Sequence, residues 1–187
     1  ADQLRIAVAR DITLRKRAEL LQAATYSISE AAQSADNLDD LFQQIHQTLK
    51  TLLLSPNLFI ALRDVKTGQL TFPYGVDEDQ PGVKRPAKAL EDFSQEVIDS
   101  EHAVLRGHDA VAQTAPQANA VPDGDFQCLL GTPLRSLNGI TGALVLKSGR
   151  GAAPYTEQDK ELLQYVSTQI ATVLERKQLF AQMQYMA

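Results

Sequence analysis

The sequence predicts an α+β fold: a central antiparallel sheet of about five to six strands, with the N- and C-terminal helices packed on one face and a short helix and loops over the other. Long helical apolar patterns stand at both ends of the 187-residue chain. The short apolar stretches between them are joined by turn signals, which are typical of antiparallel hairpins.

Two helices are predicted at the start of the chain. From residue 14 to residue 33, apolar or small residues recur in alternating steps of four and three. A polar break at residues 34–37 precedes a second amphipathic helix, which ends near Ser55-Pro56. The apolar face of that helix consists of Leu38, Leu41, Phe42, Ile45, Leu49, Leu52 and Leu53.

The middle of the chain predicts a hairpin, a loop and a short helix. Residues 58–63 and 70–74 are strand candidates around a turn at 66–69. Residues 77–86, with Asp77, Glu78 and Asp79, are interpreted as a solvated loop. A short helix follows, with Leu90, Phe93, Val97 and Ile98 on one face, and residues 104–105 are a brief edge strand.

The last third predicts a long loop, a second hairpin and the final helix. Residues 108–125 have no apolar period, and a loop of that length is often functional, for example as a lid. Residues 126–135 and 140–147 pair through 136–139, a connection longer than the two-residue minimum. Thr156, with Asp159 three residues later, predicts a near capping box. The helix that follows repeats through Leu163, Val166, Ile170, Val173, Lys177 and Phe180.

Composition narrows the class of protein. The net charge of −5 and the absence of a clustered basic face beyond Arg15, Lys16 and Arg17 argue against nucleic-acid binding. The single cysteine, Cys128, excludes an intrachain disulfide and favours a reducing, cytoplasmic location. No stretch approaches the ~20 apolar residues of a membrane helix. Without an initiator Met or a signal peptide, we expect a piece of a longer protein.

Three stretches, taken in their order along the chain, resemble the C-terminal half of GAF domains. They are Leu130-Gly131-Thr132-Pro133-Leu134, then the segment 139–146, and then the segment 155–163 that begins Tyr155-Thr156. Upstream, residues 59–64 and 72–74 with Asp77-Glu78 resemble a subgroup found in multidomain sensor proteins. The resemblance covers residues 18–180. Residues 8–19 are similar to the segment that closes a PAS domain.

The resemblance implies a module of a bacterial signalling protein. Residues 1–17 would be a PAS-domain tail and connecting segment, 18–180 the GAF domain, and 181–187 the start of a linker to an output domain, such as a histidine kinase or diguanylate cyclase. The first ten residues look like a PAS strand whose sheet is absent. GAF relatives often have glycines where this chain has Lys88-Ala89-Leu90 and Glu101-His102-Ala103.

The resemblance also implies a parallel homodimer coupled through its first and last helices. The expected contacts are Leu21, Ile28, Leu163, Val166, Ile170, Val173 and Phe180. On this hypothesis an Ile170→Asp substitution dissociates the dimer.

A small-molecule pocket is expected between the sheet and the middle helix. Strand alternation pairs Phe72 with Tyr74, Phe59 with Ala61, and Gln127 with Leu129, each pair on a single face. The predicted ligand-binding residues are Phe59, Phe72, Tyr74, Phe93, Val97, Gln127 and Leu129. The ligand itself is unknown, and an alternative is that these residues only fill the core of a structural dimerisation spacer.

Other site chemistries find less support in the sequence. His46, His102 and His108 form no metal-ligand pattern, and the residues before Leu129 do not match a haem motif. Cys128, in a predicted buried strand, lacks the local context of a bilin attachment site. A free-methionine sulfoxide reductase has this fold, but its redox cycle needs an intramolecular disulfide that one cysteine cannot form. We therefore predict a non-catalytic sensory domain.

Overall fold

A computed structural model describes the backbone of residues 2–82, 86–107, 128–149 and 151–186, and the side chains from residue 14 onward within those ranges. Four helices and five strands occur there. They are α1 (Asp2–Ser34), α2 (Leu38–Leu53), β1 (Asn57–Arg63), β2 (Leu70–Val76), α3 (Lys88–Ser100), β3 (Val104–Gly107), β4 (Cys128–Ser136), β5 (Gly139–Lys147) and α4 (Glu157–Met186).

The strands form one antiparallel sheet in the order β2-β1-β5-β4-β3. The long helices α1, α2 and α4 cover one face, and α3 covers the other. The predicted α+β fold class is confirmed, with five strands. β5 lies at the centre because it pairs with both β1 and β4.

Residues 2–10, which resemble a PAS strand in sequence, are helical in this chain. α1 is continuous from Asp2 to Ser34. This stretch contains no glycine or proline and is rich in alanine, leucine, arginine and glutamine, which are strong helix formers. Without a neighbouring strand to supply hydrogen-bond partners, the backbone satisfies itself in a helix.

Local capping chemistry sets the starts of two helices. The Asn37 side chain accepts a hydrogen bond from the Asp40 N–H (2.9 Å) at the start of α2. At the start of α4, the Asp159 N–H donates to Thr156 Oγ1 (3.2 Å), and the Thr156 N–H donates to Asp159 Oδ2 (2.8 Å). Each side chain satisfies the other residue's backbone donor. The predicted capping box is therefore present.

The helical layer and the sheet enclose the larger apolar core. Most of the residues predicted to form the dimer interface are buried in this core. Four of those seven residues are fully buried against this chain's own helices and sheet, each with 0% exposure: Ile28, Leu163, Val166 and Ile170. Leu21 and Val173 are half-buried, and only Phe180 is exposed, at 56%. The four buried residues are not available to a second copy. The apolar helical stripe that suggests a dimer interface in the sequence is needed within one chain to cover the sheet.

The β4–β5 hairpin is tighter than expected. Ser136 pairs with Gly139, so only Leu137 and Asn138 lie between the strands. Gly139 has a φ of 110°, a backbone conformation that residues with a side chain rarely adopt. The connection therefore has the two-residue minimum length rather than a longer one.

A β-bulge in β2 separates two residues that were expected to share a face. Ile60 pairs with Tyr74, but Leu62 pairs with Thr71, so β2 has one extra residue at this point. The extra residue reverses the alternation. Phe72 consequently packs on the α3 side, whereas Tyr74 packs against the helical core.

Candidate functional site

The candidate ligand face is the side of the sheet covered by α3. Phe93 and Val97 of α3 are buried there with Phe59, Leu129 and Val145. Leu90 and Ile98 extend the buried stripe of α3, as the spacing of the apolar residues predicts. Glu101 ends the helix at φ of 60°, so this residue takes the left-handed position that glycine often holds.

Gly131 brings α3 directly onto β4. A Cβ at this position would lie 2.6 Å from Val97 Cγ2 and 2.8 Å from Phe93 Cε1. Such distances leave no room for a side chain, and still less for a ligand, between Gly131 and the helix. Phe93 and Val97 therefore fill the core at this point, and a ligand on this face needs space elsewhere on the sheet.

Three ion pairs connect the second half of α3 and its C-cap residue to three different strands. They join Arg63 of β1 to Asp99 (3.0 Å), Arg106 of β3 to Glu96, and Arg135 of β4 to Glu101 (3.0 Å). Each pair is partly exposed and contributes little stability by itself. Together they hold α3 in one position across the sheet.

A buried polar cluster lies at one end of the sheet, and we call it the Lys147 cluster (Asn57, Asp77, Asp79 and Lys147). Lys147 Nζ lies 2.6 Å from Asp77 Oδ2 and 3.7 Å from Asp79 Oδ2, with a side-chain exposure of 4%. Asn57 donates to Asp79 Oδ2 (3.3 Å) and accepts from the Glu78 N–H (2.7 Å). These contacts fasten the segment that follows β2 to the two central strands.

The interpretation of Asp77 and Asp79 as part of a solvated loop is wrong. Their side chains are 11% and 18% exposed, because they balance the charge of Lys147 from β5. Only Glu78, between them, faces solvent, where it pairs with Lys50 (2.6 Å). The signal in the sequence was the lysine that ends the apolar strand Ala143-Leu144-Val145-Leu146-Lys147, which needs a buried counter-charge.

The predicted ligand-binding residues do not all meet. Phe59, Phe72, Phe93, Val97 and Leu129 lie in or against the cluster beneath α3. Tyr74 lies on the opposite face because of the bulge in β2. Gln127 and the long loop at 108–125 fall outside the described residues, as does His108.

His46 joins α2 to the edge strand β2 and to the connection before β1. The side chain is 5% exposed; Nε2 lies 3.0 Å from the Pro56 carbonyl oxygen and Nδ1 lies 2.9 Å from Tyr74 Oη. Since a carbonyl oxygen can only accept, Nε2 carries the hydrogen, and the Tyr74 hydroxyl donates to Nδ1. Burial lowers the pKa of His46, and nearby Lys50 lowers it further, whereas Pro56 and Glu78 act in the opposite direction.

We expect His46 to make stability dependent on pH. A lowered pKa in the folded state means that the unfolded chain binds the proton more readily, so stability is complete above about pH 6.5 and falls as the pH drops below it. The free energy of unfolding of the wild type and of His46→Gln should be measured in urea at pH 7.5 and pH 5. The advantage of the wild type should shrink at pH 5, and an advantage that stays constant would contradict the assignment.

Cys128 is buried and its thiol is engaged. Its exposure is 3%, and its sulfur accepts a hydrogen bond from the Tyr155 N–H (3.0 Å). Burial raises the pKa of the Cys128 thiol, which disfavours the reactive thiolate. Next to it, the Tyr155 hydroxyl contacts Ser55 Oγ (2.6 Å), and burial raises the pKa of Tyr155 to about 12. The geometry is that of a packed polar contact.

The described part of the chain also bears on metal binding and on membrane insertion. Within these ranges, no three His, Cys, Asp or Glu side chains are grouped as ligands for a metal ion. None of the helices described combines the length and apolar character needed to cross a bilayer.

The chain belongs to the GAF domain family, whose model matches residues 35–175. This range includes the whole sheet, α2, α3 and most of α4. Two of the segments that resemble GAF domains thus have a structural role in this chain. The segment 130–134 lets α3 approach the sheet at Gly131, and the segment 155–163 caps α4 through Thr156.

Solved structures support the same fold. The GAF domain of a phosphoenolpyruvate-protein phosphotransferase from Coxiella burnetii superposes with a TM-score of 0.66 at 18% identity, covering 88% of this chain and 98% of that one. The GAF domain of a putative sensor histidine kinase from Pseudomonas syringae pv. tomato gives 0.62 at 17% identity, covering 95% and 99%. Staphylococcus aureus fRMsr, in complex with its substrate, gives 0.61 at 13% identity, covering 82% and 95%.

The superpositions establish the fold. Sequence identities of 13–18% do not assign to this chain the activity of any of these proteins. The similar chains include parts of signalling proteins and an enzyme. No curated protein matches the chain in sequence.

Proposed function

We propose that this GAF domain is a non-catalytic regulatory module of a bacterial signalling protein, in which α1 and α4 couple the domains on either side. The GAF domain of a putative sensor histidine kinase and residues 122 to 287 of a methyl-accepting chemotaxis protein share its fold. Residues 8–19 resemble the segment that closes a PAS domain and starts its connecting helix, and their helical course fits the connecting-helix part of that resemblance. We therefore place a PAS sensor on the N-terminal side of α1 and an output domain after α4.

The observation that carries this proposal is the course of the two terminal helices. Arg17 of α1 pairs with Glu161 near the start of α4 (2.6 Å), and Lys177 Nζ of α4 contacts the Ala35 carbonyl oxygen (2.5 Å) just after α1. The helices therefore run side by side in the same direction. α1 begins at Asp2, about 22 Å before the first contact, and α4 ends at Met186, about 14 Å beyond the second, taking a rise of ~1.5 Å per residue.

The end of α4 offers an apolar surface without charge. From residue 178 to residue 186 the sequence contains no charged side chain, and five large apolar residues are at least half exposed: Leu179, Phe180, Met183, Tyr185 and Met186. A helix end with this much exposed apolar surface is typical of an interaction site. A helix extending alone into water is also marginal in stability.

We propose a second copy of this chain as the partner of that surface. In a parallel pair, each terminal helix meets its counterpart, so movement entering along α1 can leave along α4 in both chains. The groove between α1 and α4, about 310 Å³, is lined by Ala32, Val173 and Phe180 among others and adjoins this surface. The proposed contact is therefore centred on Phe180 and Met183 rather than on Ile170.

A Phe180→Asp substitution is expected to dissociate the dimer without unfolding the domain. Phe180 is 56% exposed in the isolated chain, so the charge stays hydrated in the monomer but would be buried between two copies. Light scattering on purified protein should show the wild-type mass halved. Gln182→Asp, on the opposite side of the same exposed helix end, is the matched control and should remain dimeric. A dimeric Phe180→Asp protein would refute this contact.

In the sensor form of this proposal the domain also binds a small molecule on the face of the sheet covered by α3. A structural spacer without a ligand is the second candidate, and the tight packing of α3 on Gly131 favours it. A native mass spectrum of freshly purified protein distinguishes the two functions. A dimer that carries a discrete small adduct supports the sensor, and a bare dimer supports the spacer.

A further inference from the structure

Lys147 places a buried ammonium group on the candidate ligand face. Along β5, Ala143 and Val145 pack on the α3 side, and strand alternation puts Lys147 on the same side. Lys147 pairs with Asn57 on one side and Leu129 on the other, two residues beyond the Val145–Gly131 pair where α3 rests. This end of the face is therefore past the point that α3 fills.

The Lys147 ammonium group has more N–H donors than the described residues around it offer as hydrogen-bond acceptors. Its three N–H groups meet one hydrogen-bond acceptor among the described residues, Asp77 Oδ2 at 2.6 Å. Asp79 Oδ2, at 3.7 Å, is near enough for electrostatic attraction but too far for a hydrogen bond. Since the side chain is only 4% exposed, bulk water has little access to the other two donors. Buried donors of a charged group rarely remain unsatisfied.

We propose that Lys147 is the polar anchor of the ligand site, and that the N–H groups which meet no acceptor in the described part of the chain bind a neutral acceptor, such as an amide or carbonyl oxygen, of a small molecule. This inference rests on the ligand-binding form of the proposed function. Asp77 already balances the charge of Lys147, so an anionic ligand gains little net attraction and approaches Asp79 as well. The residues next to Lys147 on this face, Leu129 and Phe59, are apolar, so we expect the rest of the ligand to be apolar as well.

Three probes with the same phenyl ring test the chemistry of the head group. Phenylacetamide is neutral, phenylacetate is an anion and phenethylamine is a cation. Titrations of the full chain, followed by NMR, should show saturable binding of phenylacetamide in the millimolar range and at least about tenfold weaker binding of both ions. Tighter binding of either ion, or no binding of phenylacetamide, overturns the proposal.

Two variants test the residue. Lys147→Met alone leaves the Asp77 carboxylate buried without its partner, so the double variant Lys147→Met, Asp77→Asn is used because it leaves the net charge of the cluster unchanged. We expect it to bind phenylacetamide at least about tenfold more weakly, the usual effect of losing a hydrogen bond to a charged group. Lys50→Met, which removes the exposed pair with Glu78 on the same segment, is the matched control and should bind as the wild type does.

Failure of the Lys147 proposal can be distinguished from failure of the proposed coupling function. Unchanged binding by the double variant refutes the role of Lys147, whereas the dimer contact at Phe180 is tested without any ligand. If phenylacetamide fails to bind while Phe180→Asp dissociates the dimer, the anchor is wrong and the coupling module remains.

Discussion

Gly142→Ala is expected to destabilise the protein by more than about 4 kcal/mol, a large part of the roughly 5–15 kcal/mol by which a typical domain is stable. A Cβ on residue 142 would lie 2.0 Å from the carbonyl oxygen of Ala61 and 3.0 Å from its carbonyl carbon. Both atoms belong to the backbone of β1, which pairs directly with β5. Relief of the clash requires the two central strands to separate.

Urea unfolding followed by circular dichroism measures this effect. Gly107→Ala is the matched control, because Gly107 also lies in a strand and a Cβ there would meet no atom within 4 Å. Its stability should change by no more than about 0.5 kcal/mol. Equal stability of the two variants would show that β1 and β5 do not approach as described. Close approach is also the physical reason for glycine at this place in the GAF motif.

Ile170→Asp is expected to unfold the domain rather than to separate two folded copies. Ile170 is 0% exposed in the core that α4 shares with α1, α2 and the sheet. The substitution removes a buried apolar side chain and places a carboxylate in its position, which should cost more than about 4 kcal/mol.

Circular dichroism and light scattering together decide between the two outcomes. Loss of the folded signal is expected for Ile170→Asp, whereas Thr168→Asp, exposed on the same helix, should stay folded. A folded, monomeric Ile170→Asp protein would restore Ile170 to the dimer interface and would contradict its burial within one chain.

The sequence was sufficient for features that depend on neighbouring residues. The capping box of Thr156 and Asp159 was predictable because both partners lie within one helical turn. The hairpins and the apolar stripe of α3 followed from short periodic patterns for the same reason. The motifs around Gly131 and Gly142 then suggested the family, which the match over residues 35–175 establishes.

The candidate site was predictable only in part. Phe59, Phe72, Phe93, Val97 and Leu129 lie in or against one cluster, as alternation and helical spacing suggested. Tyr74 does not, because strand alternation cannot reveal one extra residue in β2 when the partner strand is unknown. The placement of Asp77 depended on Lys147, seventy residues away in the chain.

From residue 14 onward, the sequence by itself determined the kinds of elements, their approximate bounds and their class of fold, because these follow from local hydrogen bonding and from the period of apolar residues. Only the tertiary structure decided which apolar stripe covers the sheet and which remains exposed on α4. It also decided that two acidic residues next to a turn are buried with Lys147. Burial and charge pairing depend on strand register and on distant partners, and neither is encoded within a single short stretch of the chain.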